Sequence, residues 1–460
     1  MAYCWSWSER PDDLAVAVFA HRAVARGHQI CLTDDGYSGP DALADAAARC
    51  AVNGVSGKAI GTAALRLPRI VLYTGDAIGY PYYAYYSHAL WSLGLAYQRA
   101  SAARIAQGIL DHADLLIIPG GFATWGLDRI EGVTGVDQAV RGFIARGGAC
   151  IGSCGGAFYL SEGRPGWLNA IDAKPRFTHE YLLTGTCLLN VRLSDPALRR
   201  GLPETIELPY YHGPVYDDAE RGSSTLATFG EHVLSNRLFI DNPIDATRYG
   251  DIMRNRAAIL SGRTTAHRVI GFSAHPEMGE FLRKAIVLDG YVRHYLPLRG
   301  AKTMQETLRF YAKEDCIAFR LILNAAIMLG AFNGGPGAQH NEPEIAPDVS
   351  ISNMNEIDAA WREGLAGLRA RLPVDEESGI AALIETELAT LETEWRDLCI
   401  SRKEYADDQE LQRTLSDAAA AIARPTPLSC PEALVLLEFP VRLLAARSRM
   451  TRFDSILEIA

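Results

Sequence analysis

The clearest pattern along the chain is a series of short apolar runs that stop abruptly at glycine or proline. Arg69–Gly75 reads RIVLYTG, Ala113–Gly121 reads ADLLIIPGG and Gly148–Cys154 reads GACIGSC. Runs this short and this apolar predict strands buried on both faces. Between them, Ala84–Leu95 and Val136–Ala145 predict helices, and Gly156–Leu160 starts another directly after the third run. Strands alternating with helices predict a parallel sheet covered on both sides. Further on, AAILSG (Ala257–Gly262) and RVIGFSAHPE (Arg268–Glu277) predict two more strands joined by a polar turn, followed by a helix over Phe281–Tyr295.

The flanks differ. Residues 1–67 predict a mostly helical segment, with helices over Asp12–Arg26 and Asp41–Ala51, a short strand in HQICLT (His28–Thr33) and a turn at Gly36–Gly39. Beyond Arg299, Thr303–Leu329 predicts a long helix, and the Gly/Pro/Asn-rich stretch Phe332–Asp348 predicts a linker. Ile357, Trp361, Leu365 and Leu368, then Ile380, Leu383, Ile384, Leu388 and Leu391, recur at helical spacing. Two more helices are predicted over Glu410–Ala423 and Pro431–Arg447. The expected division is 1–67, an α/β domain at 68–299, and an all-α region at 300–460. That last region is expected to be separable after its linker, covering an edge of the α/β domain or forming a homo-oligomer interface.

Composition narrows the classes. The chain of 460 residues is 48% hydrophobic and carries a net charge of -10, which disfavours nucleic acid or an anionic membrane as principal partner. The most apolar stretch, Ile317–Phe332, is broken by Arg320 and Asn324, so no membrane span is expected. The opening MAYCWSWSERPDD has no secretory pattern. The nine cysteines form no C-x-x-C pair and no Cys/His group with zinc spacing, so reduced thiols, a cytoplasmic setting and no metal are expected. Neither a phosphate-binding nor a dinucleotide-binding glycine pattern occurs, so no cofactor is expected.

Candidate chemistry concentrates at Cys154. A strand that turns sharply into a helix presents its corner residue at the carboxyl edge of the sheet, and the flanking Gly152, Gly155 and Gly156 suit that crowded turn. A helix start offers free N–H groups that favour a thiolate and can hold an oxyanion. The alternative for Cys154 is a buried thiol in a glycine-rich turn; Cys150, by contrast, lies within the strand and is expected in the core. His275 and Glu277 lie two residues apart just beyond an apolar strand, so both point to one side of an extended segment. His275 can accept the thiol proton, and Glu277 can orient the ring.

The elbow IGSCGGAFYL (Ile151–Leu160) followed by His-Pro-Glu resembles the triad glutamine amidotransferase superfamily. With VLYTGDAIGY, LLIIPGG, LPYYHGPVY (Leu208–Tyr216) and AAILSG, the chain is similar over about Arg69–Leu296 to the N-terminal domain of biotin-protein ligases and its stand-alone relatives. The resemblance implies a flavodoxin-like fold and a Cys154–His275–Glu277 triad. It implies an oxyanion hole from the N–H groups of Gly121 and Gly155, with Gly120 beside it. One residue departs from the glutaminase pattern. The fourth position after the nucleophile, often Gln, is Phe158, so a polar handle for glutamine is missing. Tyr210, Tyr211 and His212 are candidates for a pocket wall, as is the cluster Tyr80–Tyr86. His179-Glu180 and QHNEPE (Gln339–Glu344) are expected to be surface. Two functional classes follow. One is a cysteine-dependent enzyme cleaving a C–N bond of a small amide-type substrate through a thioester, with any ammonia acceptor on a partner enzyme. The other is a ligand-binding or regulatory module using the same cleft, its helical region docking a partner.

Overall fold

Two sheets and a helical cap organise the chain in a computed structural model. It describes residues 2–6, 14–57, 64–177, 180–216, 223–262, 268–294, 316–333, 354–372, 380–400, 408–424 and 428–460. The N-terminal part holds β1 (Ala2–Ser6), α1 (Ala15–Ala25), β2 (Cys31–Thr33), β3 (Gly36–Pro40), α2 (Ala44–Arg49) and β4 (Val55–Gly57). Its four strands form an antiparallel sheet in the order β2–β3–β1–β4, which departs from the mostly helical segment expected. The strands are short and hold Gly, Ser and Pro, as in GYSGP and VSG, so they lack the apolar run that marks a strand in sequence. Trp5 of β1 packs edge-on to Phe19 of α1 and seats the helix on the sheet.

The second sheet has nine strands. They are β5 (Ile70–Tyr73), β6 (Gln98–Ala100), β7 (Leu115–Ile118), β8 (Ala149–Ser153), β9 (Thr186–Leu193), β10 (Thr205–Tyr211), β11 (Thr225–Ser235), β12 (Ala257–Ser261) and β13 (Val269–Phe272). The order is β10–β9–β11–β12–β13–β8–β7–β5–β6. From β13 to β6 the pairing is parallel, and from β10 to β13 it is antiparallel. The sheet is therefore mixed, where the alternation of runs predicts parallel pairing alone. The expected strands β5, β7, β8 and β13 are buried at every position, as strands covered on both faces must be. Helices α3 (Tyr82–Ser92), α4 (Ala102–Ala106), α5 (Leu127–Glu131) and α6 (Val136–Ala145) connect the parallel strands, and α7 (Gly155–Leu160) leads from β8 toward β9. α8 (Ala246–Ile252) precedes β12, and α9 (Gly279–His294) follows β13.

The helical region comprises α10 (Phe319–Met328), α11 (Met354–Arg369), α12 (Ile380–Ile400), α13 (Gln409–Ala423) and α14 (Cys430–Leu457). The helical stripe of α11 is buried as its spacing predicts, and Trp361 stacks on Trp395 of α12 with ring centroids 4.9 Å apart. α14 opens on a capping box between Ser429 and Glu432 and is buried along most of its length. Its Phe439 stacks on Tyr85 of α3 at 4.9 Å and on Phe281 of α9 at 5.0 Å. Near its end Asp454 receives two hydrogen bonds, at 2.8 and 2.7 Å, from Arg22 of α1. α14 thus packs on the α/β part and the N-terminal part together. The sequence motif QHNEPE lies outside the described residues.

Candidate active site

The parallel strands β7, β8 and β13 end on one edge of the sheet, where open α/β sheets place ligands. Cys154 stands at the end of β8 and caps α7, with φ 49° and ψ -108°. A non-glycine residue rarely holds that backbone, so the turn keeps it only because its neighbours fit around it. Two glycines make the fit. A Cβ on Gly155 would lie 2.1 Å from the Gly121 carbonyl oxygen, and one on Gly156 would lie 2.1 Å from that of Ile118. The Cys154 N–H donates to the Phe272 carbonyl at 2.8 Å, which ties the elbow to β13. Its thiol is partly exposed and donates to the Tyr211 carbonyl at 3.1 Å. Cys150, by contrast, is fully buried within β8, and burial pushes its thiol pKa up.

Beyond β13, His275 is fixed by its N–H donating to the Pro209 carbonyl at 3.0 Å. Its Nδ1 lies 2.7 Å from Glu277 Oε1, and both side chains are buried at 2% and 1% exposure. The carboxylate can only accept, so Nδ1 carries the proton and Nε2 is the basic face. A Cβ placed on Gly120 would lie 3.0 Å from His275 Cε1 and 3.4 Å from Cys154 Cβ. Gly120 therefore sits between the ring and the elbow, and a larger residue there would push them apart. Nε2 is buried and forms no well-aligned hydrogen bond. It is nonetheless close enough to Cys154 to feel it. Burial disfavours the imidazolium, but Glu277 and then Cys154 outweigh it and hold the His275 pKa above the ordinary value.

Several expected residues take other places. Tyr211 stands beside the thiol through its carbonyl, and its ring is edge-on to His275 at 6.0 Å. Tyr210 is fully buried and its hydroxyl donates to the Gly213 carbonyl at 2.6 Å, so it holds that turn and presents no free hydroxyl. His212 is 7% exposed with φ 52°, and its Nε2 lies 3.5 Å from Asn242 Nδ2. Phe158 is buried beneath the elbow and packs on Trp167 at 5.7 Å. The N–H groups of Gly121 and Gly155 donate to no backbone carbonyl among the described residues. His179 lies outside the described residues. Two further residues join the site. Ser153 Oγ donates to Glu277 Oε2 at 3.2 Å, and Tyr86 of α3 hydrogen-bonds to Ser153 Oγ. Both stood inside motifs already marked, GSCGG and YPYYAYY, but nothing in spacing alone shows which tyrosine of α3 turns inward. Among the described residues no group of three or more His, Cys, Asp or Glu is placed to hold a metal ion. No described helix is long and apolar enough to cross a membrane.

Residues 84–166, which include β7, β8 and the elbow, match the CobB/CobQ-like glutamine amidotransferase domain. Among solved structures, a glutamine amidotransferase from Thermotoga maritima aligns at TM-score 0.35 and 11% identity, over 57% of this chain and 98% of that one. A putative GMP synthase component from Thermoplasma acidophilum aligns at TM-score 0.33 and 14% identity, over 58% and 96%. PurLQS from Thermotoga maritima aligns at TM-score 0.33 and 14% identity, over 57% and 100%. No curated protein matches the sequence. The family likeness therefore lies in residues 84–166, the segment that carries β7, β8 and the elbow.

Proposed function

We propose that this glutamine amidotransferase-like domain is a cysteine-dependent enzyme that cleaves a C–N amide bond, with Cys154 as nucleophile, His275 as acid–base and Glu277 as the group that orients it. One observation carries the reading. The His275–Glu277 pair is buried, bonded at 2.7 Å, and faces a partly exposed thiol held on a positive-φ corner. His275 takes the thiol proton, and the thiolate forms a bond to the amide carbonyl carbon. The oxygen becomes an oxyanion, which in this reading the Gly121 and Gly155 N–H groups receive. As the C–N bond breaks, the imidazolium gives its proton to the departing nitrogen, leaving a thioester on Cys154. A water that gives its proton to His275 then attacks the thioester and releases the acid and the free thiol. Released ammonia would pass to an acceptor on a partner enzyme. The subfamily resemblance to the biotin-protein ligase N-terminal domain belongs to this reading, as does a cytoplasmic setting.

The test is limited alkylation with iodoacetamide followed by peptide mass mapping, with an amide panel and detection of a mass adduct on Cys154. We expect Cys154 to label first of the nine cysteines, and Cys154→Ser to abolish both adduct and turnover. Cys150, Cys187 and Cys316 are buried, and burial pushes their thiols up, so they should lag. Faster labelling of Cys187 or Cys430 with Cys154 protected would overturn the reading and favour a binding module.

A further inference from the structure

The Glu277 carboxylate is held from both sides. Oε1 meets His275 Nδ1, and Oε2 accepts from Ser153 Oγ at 3.2 Å. The Ser153 hydroxyl has one proton, and an ionised carboxylate can only accept it. Ser153 Oγ must therefore accept from the Tyr86 hydroxyl, which is its other partner. The donor order is fixed as Tyr86 to Ser153 to Glu277, with His275 donating from the other end. All four side chains are at most 2% exposed, so no water replaces a lost member cheaply. The fold puts them there for a simple reason. Ser153 pairs in register with Phe272 of β13, so the residue before the nucleophile sits beside the strand that leads to His275 and Glu277. Tyr86 reaches in from α3, whose neighbouring Tyr85 is clamped by Phe439 of α14.

We infer that Ser153 and Tyr86 are positioning residues that lock the Glu277 carboxylate in the plane of the His275 ring, and so set the pH at which the Cys154–His275 pair becomes a thiolate and an imidazolium. This rests on the reading of Cys154, His275 and Glu277 given above. A carboxylate tied at one oxygen only can turn away from the ring, and a turned carboxylate stabilises the imidazolium less. The titratable groups facing Glu277 are His275 on its own turn, and Tyr85 and Tyr86 from α3; Cys154 at the elbow faces His275. Burial first, and Glu277 next, keep the Tyr86 hydroxyl protonated well above the ordinary tyrosine value, so it remains a donor throughout the working range.

The experiment is the pH profile of Cys154 alkylation in the full chain, for the native protein, Ser153→Ala, Ser153→Thr, Tyr86→Phe and His275→Ala. Ser153→Ala and Tyr86→Phe should displace the profile to higher pH by about one unit, roughly tenfold in rate at a fixed acidic pH. Ser153→Thr keeps the hydroxyl and should restore the native profile. Tyr86→Phe keeps the ring in the core, so it separates the hydroxyl from packing. If His275→Ala moves the profile while Ser153→Ala and Tyr86→Phe leave it native, the relay is structural only and the inference fails. If His275→Ala also leaves it native, His275 is not the base, and the functional reading falls with it.

Discussion

A single elbow residue depends on atoms from four strands and a helix. Cys154 takes its corner because Gly155 and Gly156 leave room for the carbonyls of Gly121 and Ile118, and because Phe272 accepts its N–H. This much was legible in the sequence, since crowding at a turn writes itself as glycine. The nearness of His275 to Glu277 was legible too, but not its cause: Pro276–Met278 is a 3-10 turn where the spacing predicts an extended segment, and that turn carries the carboxylate to the ring. What spacing could not show were contacts across long separations, such as Tyr86 to Ser153 or the thiol to the Tyr211 carbonyl. Tyr210 illustrates the loss. As a tyrosine in an aromatic loop it reads as a pocket wall, but strand alternation turns it into the core. Phe158 carries a prediction at this scale. Buried against Trp167, it offers no amide group to a bound glutamine, so the isolated protein should turn glutamine over slowly or not at all. An ammonia-release assay at the ordinary rate of about 1–1000 per second would contradict it.

Among the elements, those with continuous apolar runs were readable and those built from short, mixed segments were not. β5, β7, β8 and β13 announce themselves because both their faces are covered. β9 and β11 mix buried with half-buried or exposed positions, so of the antiparallel half only β12, with its apolar run, is open to a run-based reading. Helices α1 and α3 each bury a histidine. Burial pushes His88, which faces the aromatic edges of Phe281, Phe319 and Phe439, down to about 3. Burial likewise lowers His21 to about 4, against its hydrogen bond with the Leu93 carbonyl. An unfolded histidine takes up its proton near pH 6.5. Below that value the unfolded chain binds more protons than the folded one, so stability falls with pH down to the folded values. Each residue contributes up to about 1.4 kcal/mol per pH unit. His275 has the opposite sign. Its raised pKa contributes stability below pH 6.5 that is lost as pH rises through the folded value. Urea midpoints measured on the acid side should therefore fall with pH, and His88→Phe should make that slope shallower, with His21 and the half-buried His232, also lowered by burial, keeping the rest. A slope unchanged by His88→Phe would remove His88 from the account.

For the molecule as a whole, the linker composition predicts a helical region that comes away cleanly, yet α14 is built into the rest. Phe439, 1% exposed, stacks on both Tyr85 and Phe281, which also adjoin each other, and Arg22 grips Asp454. Amphipathic spacing shows that a helix buries a face but not against what, and this is why the sequence left open whether the helical region covers the α/β edge, as α14 does, or meets a second copy. Phe439→Ala should cost about 3–5 kcal/mol of stability by leaving a cavity among aromatic rings. Because Tyr85 adjoins Tyr86, it should also slow alkylation of Cys154. Denaturant unfolding together with thiol kinetics would check both, and a full loss of stability with native thiol kinetics would show that α3 does not need its cap. The clamp on α3 also has a consequence in time. During synthesis the elbow leaves the ribosome long before α14 does. At roughly 5–20 residues per second the gap lasts on the order of tens of seconds. Through that interval the face of Tyr85, and then that of Phe281 once it is made, has no cover, and α3 lacks the seat from which Tyr86 reaches inward. A nascent chain should thus carry an unarmed thiol beside an adhesive aromatic surface, which makes it a natural client for a chaperone until α14 arrives.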